Sequence, residues 1–180
     1  MKAKAIIFVF MTITQIGLAQ KLISKNGHIW FYSHTPVEDI EAHNRQAVSI
    51  LDTLTWDIQI NILIKSFEFK IALMQEHFNE NYMESTKFPK AAFKGKITNF
   101  DQIDFKKDGI YPVEVIGDIT IHGVSKPLST TSSIEVKNGV ITGKSKFLLA
   151  PKDFGIVIPS LVEAKIAKEV EVTVEFPYNN

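Results

Sequence analysis

Apolar and polar residues alternate along most of this chain. Between residues 55 and 64, Trp56, Ile58, Ile60, Ile62 and Ile64 fall on one face, and Asp57, Gln59, Asn61 and Leu63 on the other. The same period returns over residues 169–178, where Val170, Val172, Val174, Phe176 and Tyr178 oppose Glu169, Glu171, Thr173 and Glu175. Side chains of a strand point alternately to its two faces, so each run reads as a strand with one buried side. A one-residue slip would turn the acids inward, which pins the register. The pattern predicts strands near 21–25, 28–34, 46–52, 55–64, 91–99, 110–121, 127–136, 140–149 and 168–177. Asn26-Gly27, Asp108-Gly109 and Asn138-Gly139 accept the positive φ angles of tight hairpins and are read as turns. Eight or nine antiparallel strands in one domain predict an all-β sandwich or closed barrel.

The period changes once. Ile71, Met74 and Phe78 sit at helical spacing, as do Leu73 and His77, which predicts one short helical crossover near residues 70–84. Lys87-Phe88-Pro89 ends it, because the residue before proline is driven out of the α region. No repeat or linker divides the chain, so a single domain over residues 20–180 is expected.

The N-terminus is of another kind. Lys2 and Lys4 precede a short apolar run, and Gly17-Leu18-Ala19 puts small residues at the −3 and −1 positions before Gln20. This is the pattern of a cleavable secretory signal over residues 1–19, too short in its apolar core to span a bilayer. Periplasmic or secreted localisation follows as an expectation, and the absence of cysteine excludes a lipid anchor on that residue. Cleavage removes two of the 20 basic residues and none of the 20 acidic ones, leaving 18 against 20 and a net charge of −2. That balance does not suit a nucleic-acid partner. Without cysteine the exported domain has no disulfide, and no thiol is available as nucleophile or ligand.

Catalytic motifs are absent. There is no Gly-x-Ser-x-Gly, no His-Glu-x-x-His, and Gly139, Gly143 and Lys144 miss phosphate-loop spacing within a strand-like run. His28, His34 and His43, with the acidic stretch 38–44, contain metal-ligating groups in no compact motif, so no metal is expected. Asp118 and His122 share one strand face and read as an outer polar face, with His122 shaping the turn at Gly123. What remains is an apolar surplus arranged by strands. The inward candidates are Phe31, Trp56, Ile58, Ile60, Ile62, Phe93, Ile97, Val113, Ile119, Ile121, Phe147, Val172 and Val174, flanked by Ile29, Tyr111 and Phe176. Closing about eight strands leaves an interior that is either filled by these side chains or holds one small ligand. Gly95 and Gly143, small and inward-compatible, favour space inside.

Three blocks carry a resemblance. Residues 73–93 contain a helix-like stretch running into Lys87-Phe88-Pro89 and Phe93. Residues 117–127 read Gly-Asp-Ile-Thr-Ile-His-Gly-Val-Ser-Lys-Pro, and residues 147–156 end in Asp153-Phe154-Gly155-Ile156. In order and spacing these are similar to the YceI-like proteins. The N-terminal part around residues 33–42 departs from the commoner members. The resemblance implies a lipocalin-like antiparallel barrel with a helix over one end and an elongated apolar tunnel. It also implies a non-catalytic, periplasmic role in binding long amphiphiles such as polyisoprenoid or isoprenoid-quinone chains. On that reading the thirteen inward candidates line the tunnel, the partner is a hydrophobic small molecule carried as a bound lipid, and no cofactor is expected. A homodimer is left open. Two other readings stand beside it: a filled barrel serving as an envelope interaction module, with Trp30 and Tyr32 on its outside, and an isomerase-type enzyme using the barrel as a chamber.

Overall fold

The computed structural model describes residues 21–178, so the expected signal at 1–19 lies outside them. Nine strands form: β1 (Lys21–His34), β2 (Asp39–Asp52), β3 (Asp57–Leu63), β4 (Glu68–Phe69), β5 (Lys90–Ile97), β6 (Gly109–Ile121), β7 (Val124–Lys137), β8 (Val140–Leu149) and β9 (Val170–Tyr178). Antiparallel pairing runs β1-β2-β3-β5-β6-β7-β8-β9, and β9 pairs back onto β1. Eight strands thus close into a barrel, which removes the exposed edges that an open sheet would present. The two-residue β4 is an appendage on β2.

Two hairpin turns follow their sequence chemistry, whereas Asp108-Gly109 forms no tight hairpin: neither φ is positive, and Gly109 opens β6 after the connection 98–108. Asn138 and Gly139 join Lys137 to its partner Val140 with both φ angles positive, as do His122 and Gly123 between Ile121 and Val124. These are the tight two-residue hairpins whose twist matches that of the strands. Asn26-Gly27 behaves differently. The expected hairpin there is a bulge inside one continuous β1, which pairs with β2 on both sides of it. The reason is packing: a Cβ on Gly27 would lie 2.2 Å from the Phe176 ring, so the glycine admits that ring from the neighbouring strand β9.

Other differences have similar causes. The acidic stretch 38–44 is mostly the start of β2, with Ala42 and Asn44 fully buried. The helix is shorter than expected, α1 (Ala72–His77) followed by a π turn at Phe78–Tyr82. Trp56 and Ile64 leave β3: Trp56 has φ 62° in the turn before it, and Ile64 opens a 3₁₀ turn after it.

The register sets the two ends of the barrel. Residues 35–38, 64–89, 122–123 and 150–169 cap the upper end, and residues 53–56, 98–108 and 138–139 the lower. At the lower end Trp56 stacks on Phe100 at 4.7 Å and on Phe105 at 5.9 Å, over buried Leu22, Leu51, Val136 and Ile141. This half is a filled core. Stacked aromatic pairs add about 0.5–1.5 kcal/mol each beyond the area they bury.

The candidate ligand chamber

The upper half is hollow. A cavity of about 620 Å³ lies between the strands, within the range of ligand sites. Its floor is Ile97, Ile134, Gly143, Phe176 and Tyr178, and its wall is built from the inward positions of the strands. Phe31, Ile58, Ile60, Ile62, Phe93, Ile97, Val113, Ile119, Ile121, Phe147, Val172 and Val174 all line it. Trp56 does not. The positive φ that turns it out of β3 places its ring in the lower aromatic stack, so its assignment to a tunnel wall is corrected. Of the two small inward positions, Gly143 borders the cavity, whereas the space beside Gly95 is taken by the Phe93 ring, 2.5 Å from where a Cβ would stand.

The roof comes from residues that strand parity could not reveal. Phe67, Phe69 and Phe78 close on Phe31 with ring centroids 5.6–5.8 Å apart, and Met83, Phe154, Ile156, Ile158 and Val162 complete it. Among the residues themselves, the helical spacing of Ile71, Met74 and Phe78 is the advance signal of this cap. The rim is polar in places: His77, Tyr82, Glu38 and Lys165 reach the cavity, and Lys165 Nζ is 3.6 Å from Glu38 Oε2.

One polar strip interrupts the apolar wall. Leu128, Ile134 and Val136 face inward on β7, so Thr130 and Ser132 of the same parity do too, and Ser145 meets them from β8. Ser132 Oγ donates to Ser145 Oγ at 2.9 Å, and Thr130 Oγ1 lies 3.4 Å from it. These hydroxyls stand where the β7–β8 ladder ends. Above the Ser132–Ser145 pair the two strands diverge without further pairing. Pro127, with no N–H to offer, lies in the part of β7 that β8 does not pair, opposite Asp118 of β6.

At the floor the Tyr178 hydroxyl bonds Ser49 Oγ at 2.8 Å. Burial pushes this phenol up to about 12, with the Ser49 bond opposing the shift weakly, so the group stays protonated across the physiological range. It serves as a neutral hydrogen-bonding group and is not a base.

The model of the YceI-like domain matches residues 22–178, nearly all of the described chain. The chain belongs to the YceI-like family. Solved structures share its fold. They include BcnA of Burkholderia cenocepacia (TM-score 0.71, 14% identity, 85% of this chain and 96% of that one). A polyisoprenoid binding domain from Saccharophagus degradans, implicated in plant cell wall breakdown, aligns with TM-score 0.72 at 13% identity, over 89% and 99% of the two chains. The YceI protein of Campylobacter jejuni aligns with TM-score 0.58 at 17% identity, over 100% and 99%. No curated protein matches the sequence.

The YceI-like blocks of the sequence converge on one side chain. His122 Nδ1 faces the Phe154 carbonyl at 3.2 Å, and Nε2 faces Glu84 Oε2 at 2.8 Å. Phe88 meets the same ring edge-on at 4.5 Å, and its own ring fills the space a side chain at Gly123 would need. Residues from all three blocks therefore meet at the rim of the chamber. His122 ties distant segments together, a longer reach than the local turn-shaping expected of it.

Proposed function

We propose that this YceI-like protein is an exported, non-catalytic carrier that holds a long apolar or amphiphilic chain in the upper half of its barrel. Polyisoprenoids, isoprenoid quinones and fatty-acid-like chains are the ligand classes that fit. The observation that carries the reading is a hollow of about 620 Å³ walled almost wholly by aliphatic and aromatic side chains. The Saccharophagus neighbour, described as polyisoprenoid binding, supports the same class.

Magnitudes favour long chains over short ones. Burying one methylene contributes about 0.8 kcal/mol. Association costs about 4–15 kcal/mol in lost freedom. Five buried carbons, about 4 kcal/mol, do not offset that; fifteen, about 12 kcal/mol, compete with it. The hydroxyls of Thr130, Ser132 and Ser145 give an oxygen-bearing group on the ligand somewhere to hydrogen-bond inside an otherwise dry wall. An isomerase would need a base set within the apolar wall, whereas the phenol at the floor is held protonated and His77, Glu38 and Lys165 stand at the rim.

The test is native mass spectrometry and solvent extraction of protein purified from its own host. A bound mass that extracts as an apolar chain is expected, with a mature N-terminus at Gln20. Protein that is repeatedly empty, and that takes up no geranylgeraniol from detergent solution, would sink the carrier reading. An N-terminus still at Met1 would sink export.

A further inference from the structure

A second cluster lies on the outside of the barrel, away from the chamber. His28 on β1 and His43 on β2 bring ring nitrogens together, Nε2 to Nδ1, at 3.0 Å. Their rings stack at 5.2 Å, and Trp30, the register partner of His43, stacks on His28 at 4.4 Å and on His43 at 6.4 Å. We propose that His28 and His43 form a two-histidine surface site for a late first-row divalent cation, Cu²⁺ ahead of Ni²⁺ and Zn²⁺.

Two features support this. The first is spacing. Two imidazole nitrogens at about 2.0–2.1 Å from one metal, at an angle of about 90–110°, stand roughly 2.9–3.4 Å apart. The observed 3.0 Å lies inside that window, so a small ring rotation converts a shared proton into a shared cation. The second is tautomer. The far nitrogen of His43, Nε2, lies 3.5 Å from Glu41 Oε1, so a proton held there leaves the Nδ1 lone pair facing His28. A carboxylate behind a ligating histidine is the usual way its ring is oriented and its basicity raised.

The surroundings are mixed. Glu175 pairs with His28 across β1–β9 and adds negative charge, as Glu41 does, while Arg45 opposes a cation. The described residues contain no group of three or more His, Asp or Glu able to hold a metal, so this is a two-ligand site completed by water. The order Cu²⁺ over Ni²⁺ and Zn²⁺ is that of the divalent series for nitrogen ligands, with Cu²⁺ at its top.

Trp30 supplies the readout. Untagged full-length protein is titrated with CuCl₂ while tryptophan emission and the Cu²⁺ electron paramagnetic resonance spectrum are recorded. Saturable quenching that disappears in Trp30→Phe is expected, with coupling to two nitrogens in the spectrum. His28→Gln and His43→Gln should each weaken binding by tenfold or more and leave one coupled nitrogen, and Glu41→Gln should weaken it less. Quenching that persists unchanged in the His28→Gln/His43→Gln double variant, folded by circular dichroism, would overturn the proposal. So would a spectrum with no nitrogen coupling. Neither result touches the carrier reading, whose ligand sits on the other side of the wall.

Discussion

Filling the chamber from its floor should raise stability and lower affinity at once, and Gly143→Leu is the substitution that does it. Gly143 sits on β8 at the bottom of the cavity, where a Cβ would meet Tyr178 at 3.5 Å and Ile134 at 3.8 Å, ordinary contact distances. Its φ is not positive, so a leucine is accepted without backbone strain. Burying a leucine in a dry hollow gains about 1.5–3 kcal/mol, and replacing a strand glycine adds roughly 0.4–1 kcal/mol. After rotamer losses a net gain of about 2 kcal/mol is expected, or about 4–8 °C in Tm for a domain of this size. The four added carbons displace about four methylenes of ligand, which removes about 3 kcal/mol of binding and weakens affinity about 200-fold. Calorimetry of the empty protein reads the first effect, and displacement of cis-parinaric acid by geranylgeraniol reads the second. Unchanged affinity beside a raised Tm would mean that the chain never reaches the floor. A lowered Tm would mean that the floor is already filled, which refutes the chamber itself.

Two further substitutions examine the ends of the site. His122→Asn keeps a residue tolerant of φ 51° but loses the ties to Phe154 and Glu84, and should cost about 2 kcal/mol, a fall of about 4–8 °C; an unchanged melting curve would show that the ties do not stabilise the fold. Tyr178→Phe bears on pH. The folded-state value of this phenol is raised, so its contribution is fully present below about pH 10 and is lost as pH rises toward about 12, a loss of about 3 kcal/mol. Denaturant unfolding from pH 9 to 12 should show the wild type's advantage over Tyr178→Phe shrinking across that window, and a constant difference would contradict the assignment.

Strand parity disclosed the wall of the chamber because inward positions on a closed barrel must recur every second residue. Ile58, Ile60 and Ile62, or Val172 and Val174, could be placed with no knowledge of their partners. The same parity carried Thr130, Ser132 and Ser145 inward, but hydroxyls on a half-buried strand look no different from outer-face residues until Leu128 and Ile134 fix the phase. The roof was hidden for another reason. Phe67, Phe69 and Ile158 lie in short irregular segments whose side chains have no period to read, and only the closure of the barrel beneath them gives them a common target. Trp56 and Asn26-Gly27 misled because local rules met a tertiary constraint: an aromatic stack in one case and the Phe176 ring in the other. The interior is neither wholly filled nor wholly hollow, because the barrel packs its lower end and opens its upper one.

On the carrier reading, the stack of Trp56, Phe100 and Phe105 gives a cargo a direction of travel. With the lower end sealed, a chain held as proposed enters and leaves by the upper half, so the terminus that goes in first is the last to leave. Loading therefore fixes which end of the molecule faces water. A receiving membrane or protein meets that outward end first and must draw the rest after it, methylene by methylene. The dwell time of the cargo is then set by how much chain lies below the rim, and it lengthens with every carbon added.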